Sequence, residues 1–175
     1  MCRSRIITVA LICAVFITSI GFQGCVSGTI SNSLFRKRKT QYQIGQLPTG
    51  WKEVRVSGAD LAYMHDRDGS TLLVNADCES IQDAPLAALT FHLLIGMTEQ
   101  KVIEQKSVPN SGREGLLTIA EANIDGVKRK FKIFVLKKDY CIYDIVFASP
   151  PKLFEENSAA FDSMLKGFNV PGAKL

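Results

Sequence analysis

The sequence predicts an α+β domain: a mostly antiparallel sheet of about six strands with two helices packed on it. Three observations lead there. The pairs Asp68-Gly69 and Asp125-Gly126 each separate apolar runs, and glycine accepts the positive φ that a tight strand-to-strand turn requires. Between the turns, β-branched and aromatic residues alternate with polar ones, as in half-buried strands. Two other stretches repeat their apolar residues at helical spacing, and a helix with one apolar side must lie on something.

The elements follow in order. Pro48-Thr49-Gly50 opens the domain, and the strand WKEVRV begins with Trp51. ADLAYMH and STLLVNAD flank Asp66-Arg67-Asp68-Gly69 as a hairpin. A helix is expected from Asp83 as N-cap to Met97, with Pro85 in its first turn and Gly96 near its end; Leu86, Leu89, Leu93, Leu94 and Met97 mark its apolar side. PNSGREG, residues 109–115, reads as a loop. LLTIAEANI and VKRKFKIFVL then pair across Asp125-Gly126. In the second of these, Val127, Arg129, Phe131, Ile133 and Val135 take one face, and Lys128, Lys130, Lys132 and Phe134 the other. YCIYDIVFA is a further strand. A second helix is expected over 151–166, with Ser149 as its cap, Gly167 as terminator and a stripe of Leu153, Phe154, Phe161, Met164, Leu165 and Phe168.

Ahead of the domain the chain has a different character. Arg3 and Arg5 precede the apolar run 6–20, the layout of a secretory signal peptide, and the run is short against the roughly 20 residues of a membrane span. Phe22-Gln23-Gly24-Cys25 at its end resembles a bacterial lipobox. Gly24 supplies the small residue before the cut; Phe22 and Gln23 differ from the usual aliphatic-then-small pair, so placement carries the resemblance. It implies a signal peptide over 1–24, a diacylglycerol thioether on Cys25, a tether over 25–47 and a single domain over 48–175. Two or more acyl chains hold a protein stably on a membrane without any spanning helix. The alternatives are an ordinary signal peptide cut nearby and an uncleaved anchor. Val26 is not the aspartate that retains lipoproteins in the inner membrane of enteric bacteria, so the expected location is the outer membrane, facing the periplasm.

Cleavage before Cys25 removes Cys2 and Cys13 and leaves Cys78 and Cys141. In an oxidising compartment two remaining cysteines form one disulfide, or else stay as two buried thiols. From Pro48 onward there are 15 basic against 17 acidic residues, which gives no footing for nucleic acid. Lys128, Lys130 and Lys132 form a basic stretch with two readings: lysines guarding an exposed sheet edge, or a surface for an acidic partner or anionic lipid.

No catalytic constellation emerges. His65 and His92 are far apart in the sequence, with no HExxH. Thr71 stands where a calcium loop starting at Asp66 needs its glycine. Ser111 lacks the GxSxG elbow. Glu155 and Glu156 fall in the first turn of the second helix, where its dipole favours them. No cofactor or metal site is expected.

The Trp51 strand, the DRDG hairpin, the 83–97 helix, the central meander and the closing FDSMLKGF helix together resemble a PsbP-like domain. That fold is shared by the photosystem II extrinsic subunit, a Ran-binding nuclear-import factor and a class of single-domain bacterial lipoproteins. The resemblance covers residues 50–170 and carries topology, with no functional residue attached. The expected function is a membrane-anchored, non-enzymatic binding or accessory module with an envelope protein partner. A carrier or chaperone for an apolar ligand, held between sheet and helices, is the alternative, and a hydrolase ranks third.

Overall fold

The computed structural model describes residues 42–79 and 83–171. The 1–24 segment, Cys25 and the expected tether as far as residue 41 lie outside the described residues. Among the described residues, seven strands and two helices follow in order: β1 (Trp51–Glu53), β2 (Leu61–His65), β3 (Thr71–Asp77), α1 (Leu86–His92), β4 (Thr98–Asn110), β5 (Arg113–Ile124), β6 (Val127–Lys138), β7 (Cys141–Ser149) and α2 (Phe154–Lys166). All seven strands form one sheet in the order β1-β2-β3-β7-β6-β5-β4, with every neighbouring pair antiparallel. The Asp-Gly turns sit where the sequence places them: Asp125 and Gly126 both have positive φ, 49° and 78°.

The alternation on β6 divides the interior in two. Phe134 and Leu136 join Leu72, Phe147, Phe154, Phe161, Met164 and Phe168 beneath α2. Phe131, Ile133 and Val135 join Leu89, Leu94 and Ala120 beneath α1. The helices therefore cover opposite faces of the sheet. Each phenylalanine so buried contributes about 1.5–3 kcal/mol by removal from water.

The 109–115 loop shrinks to Ser111-Gly112 between two strands, and four larger expectations change. The strand count rises from about six to seven, because the polar stretch after α1 is the 13-residue strand β4. Helix α1 is shorter than 83–97: Pro85 is its N-cap with ψ 149°, and the chain leaves the helix after His92 before Gly96 turns at φ 88°. Ala84 precedes a proline, which disfavours helical backbone there. Ser149 does not cap α2, which follows a 3₁₀ turn at Pro151–Leu153 and has no side-chain cap.

The fourth concerns the expected tether: its last residues belong to the domain. Gln43 and Asn169 exchange backbone hydrogen bonds of 2.9 and 3.0 Å, and the Gly45 N–H donates to the Met164 carbonyl at 3.0 Å. Tyr42, Ile44 and Leu47 pack on the α2 core. The crossing requires two glycines, since a Cβ on Gly45 would strike the Ser163 carbonyl and one on Gly167 would strike Gly45.

Candidate functional site

Three places concentrate polar chemistry, and each is built differently. The first lies where the β2–β3 hairpin meets α2. His65 ends β2, Asp68 and Ser70 occupy the turn, Ser149 ends β7, and Asn157 sits one turn into α2. His65 Nδ1 stands 2.8 Å from Asp68 Oδ2. A carboxylate only accepts, so Nδ1 carries a proton and donates it to Asp68. Asn157 Nδ2 donates to the same oxygen at 2.9 Å and to Ser70 Oγ at 3.1 Å. Ser70 Oγ donates onward to Ser149 Oγ at 2.9 Å, which donates to the Pro150 carbonyl at 3.2 Å. The Ser70 N–H closes the ring on Asp68 Oδ1 at 2.8 Å.

Burial alone would raise the Asp68 pKa. The hydrogen bonds from Ser70 and Asn157, with His65 nearby, reverse this and hold it at about 2. An Asp–His pair beside serines resembles a nucleophile-activating arrangement, but the geometry is wrong for one. Both serines lie on the carboxylate side, while His65 Nε2 faces Gly50, where an added Cβ would come within 3.0 Å. No hydroxyl of the network is presented to the imidazole base. The network fastens the hairpin to α2. The sequence places His65 beside a turn; here its side chain is 9% exposed and its ring is tilted against Trp51, with ring centroids 5.4 Å apart.

The second place is the basic stretch of β6. This strand is third from the sheet edge, so its lysines guard no edge. Lys130 pairs with Glu155 at 3.1 Å and lies 4.2 Å over the Phe154 ring. Lys132 pairs with Asp162 at 2.6 Å and stands over Phe161. Lys128 pairs with Glu121 at 3.1 Å. The side chains of Lys130 and Lys132 are only 20% and 14% exposed. Their stems cover apolar surface while their charges reach acids on α2. The expected basic docking surface is thus engaged within the molecule.

The third is an open groove of about 580 Å³ on the α1 side of the sheet, lined by Leu86, Pro109, Gly112, Arg113, Glu114 and Lys137. It brings together the start of α1, the β4–β5 turn and the end of β6. Ser111 and Gly112 make that turn with positive φ, and Ser111 Oγ accepts from the Val170 N–H at 2.9 Å. Glu114 accepts from Ser107 Oγ at 3.1 Å. Arg113 and Lys137 have no acidic partner among the described residues. Sequence reading missed this pair because Arg113 lies in an apparent loop and Lys137 at a strand end.

Cys78 and Cys141 are joined in a disulfide with Cα atoms 4.1 Å apart, stapling the neighbouring ends of β3 and β7. Nearby on β7, Asp144 faces Asn75 of β3. Burial, with a smaller contribution from Asp77, pushes its carboxyl up to about 7. The amide oxygen of Asn75 is buried without a hydrogen-bond partner. Among the described residues, no three His, Cys, Asp or Glu side chains are grouped to hold a metal ion.

No family model and no curated protein matches the chain. Solved structures do. LpqN of Mycobacterium tuberculosis, described as involved in cell envelope biogenesis, superimposes with a TM-score of 0.58 at 11% identity, over 78% of this chain and 88% of that one. The cyanobacterial PsbP of Synechocystis sp. PCC 6803 gives 0.55 at 11%, over 74% and 86%. The fold is PsbP-like. The Ran-binding protein Mog1p of Saccharomyces cerevisiae shares it, at a TM-score of 0.54 and 13% identity, over 73% and 89%. At such identities the PsbP-like frame is what these chains have in common, and their functions stay with them.

Proposed function

We propose that this protein is a membrane-tethered, non-enzymatic binding module of the cell envelope, held by lipid on Cys25, whose groove takes an acidic segment of an envelope protein partner. The observation that carries the groove assignment is the meeting of two cations outside any ion pair, Arg113 and Lys137, against the single acid Glu114, with the apolar Leu86 and Pro109 in one concave surface. The other two polar places are engaged internally: Asp68 in its network, Lys128, Lys130 and Lys132 in ion pairs.

The geometry favours a docking segment over a carried lipid. Phe134, Phe147, Phe154, Phe161 and Met164 fill the space between the sheet and α2 and are 0–2% exposed, so that layer offers an apolar ligand no room. The groove is open to solvent and half lined by charged residues, whereas pockets for apolar small molecules are enclosed and mostly apolar.

The test is fluorescence anisotropy of a short Asp/Glu-rich peptide titrated with the chain at low salt. Saturable binding that weakens with salt and is lost in Arg113→Glu/Lys137→Glu is expected. Equal binding by wild type and the double variant overturns the assignment of the groove.

A further inference from the structure

The outer edge of β4 carries a feature that the fold uses only at two glutamines: Gln100 donates to the Leu94 and Met97 carbonyls and Gln105 to Thr118 Oγ1. Strand β4 ends the sheet, and nearly all of its 13 residues are exposed. Its first ten read TEQKV-IEQKS. Turned antiparallel onto itself about the Val102–Ile103 bond, this segment is complementary at every position: Lys101 meets Glu104, Glu99 meets Lys106, Gln100 meets Gln105, Thr98 meets Ser107, and Val102 meets Ile103. Shifting the axis by one residue toward the C-terminus sets Val102 against Gln105 and Lys101 against Lys106. Only an isologous two-fold contact, in which one patch faces itself, makes use of such a pattern.

We infer that β4 is the homodimer edge of this protein, pairing with β4 of a second copy in the register that sets Lys101 against Glu104. Edge strands are ordinarily protected by charge, and a lysine repels an arbitrary incoming strand. Here the two lysines within 98–107 are balanced by two glutamates, so the protection is selective: the segment neutralises its own copy. Glu99 and Lys101 have no ion-pair partner among the described residues, and the Lys106–Glu104 pair is exposed and free to exchange. Val102 and Ile103 are 52% and 48% exposed.

The strand is bulged at the proposed axis. Val102 stands opposite Ala120 and Glu104 opposite Ile119, leaving Ile103 as the extra residue. A second shift separates Thr98 from Lys101, where Glu99 has φ 51°. Such bulges interrupt a continuous ladder. At the two-fold axis, however, each copy is bent alike, and the apolar pairs Val102 and Ile103 of both copies meet. The contact then rests on these side chains and on the charged arms to either side, so charge reversal is the sharp probe.

The test is sedimentation velocity of the full chain in detergent as a function of concentration, comparing wild type with Lys101→Glu and Glu104→Lys. Each reversal sets like charges together at two symmetry-related places and should weaken dimerisation about tenfold or more. The two single variants are mutually complementary, so an equimolar mixture should recover a heterodimer that neither forms alone. The double variant, Lys101→Glu with Glu104→Lys, should recover the homodimer. Far-ultraviolet circular dichroism of each variant verifies that the sheet is intact. A wild-type chain that stays monomeric overturns the inference. So does a dimer indifferent to the single reversals, or one that neither the mixture nor the double variant restores.

Discussion

Replacing Asp144 by Asn should stabilise the protein in alkaline solution and leave it nearly unchanged in acid. The carboxyl titrates near 3.8 in an exposed chain and near 7 in the folded one, because burial beside Asp77 disfavours its charge. Below pH 4 it is protonated in both states and contributes no difference. Between pH 4 and 7 the unfolded chain releases the proton while the folded chain keeps it, so stability falls as pH rises. Above pH 7 the folded chain ionises too, and the full cost applies. A displacement of roughly three pH units, at about 1.4 kcal/mol each, sets that cost at about 4 kcal/mol. Asparagine does not ionise, has nearly the same shape, and brings a donor opposite Asn75, whose buried amide oxygen lacks one. Urea unfolding followed through Trp51, the only tryptophan, gives the stability of both proteins at pH 5 and pH 8. The variant should exceed wild type by about 4 kcal/mol at pH 8 and by about 1.5 kcal/mol at pH 5. Parallel pH profiles, or a variant weaker at pH 8, would refute the reasoning.

Two further outcomes follow from the same structure. Asp68, held at about 2, contributes stability that is present above its unfolded value of 3.8 and lost as pH falls toward 2. Removing its partner with Asn157→Ala should therefore shrink the loss measured in an acid titration between pH 5 and 2; an unchanged acid limb would mean the network does not hold the charge. Opening the Cys78–Cys141 bridge frees a loop with a sequence separation of 63, and reduction should cost about 2–4 kcal/mol in urea unfolding. Two alkylated thiols in the unreduced chain, by intact mass, would show the bridge absent.

Where sequence reading succeeded, the determining forces are local. Asp125-Gly126 makes a turn because of its own backbone preferences, and the alternation from Val127 to Val135 records which side each residue buries. Where it fell short, the determinants are distant. Strand β4 has no hydrophobic period because neither face is well covered, and nothing in its ten polar-rich residues says that β5 lies beside it. The β6 lysines look like an edge because strand order is invisible in sequence; the acids that meet Lys130 and Lys132 arrive 25 and 30 residues later on α2. His65, Asp68 and Ser70 look like turn residues, and become a network only when Asn157 closes onto them from 87–89 residues away. The groove suffers the same limit, since Leu86, Arg113 and Lys137 meet only through the fold.

The most direct test of the proposed tethering is the mass of the mature N-terminal peptide, taken from membranes of cells producing the wild type and Cys25→Ala. The account predicts a peptide beginning at Cys25 and carrying a diacylglycerol group, with the modified peptide absent and the precursor retained in the variant. An unmodified Cys25, or an N-terminus cut elsewhere, would contradict it.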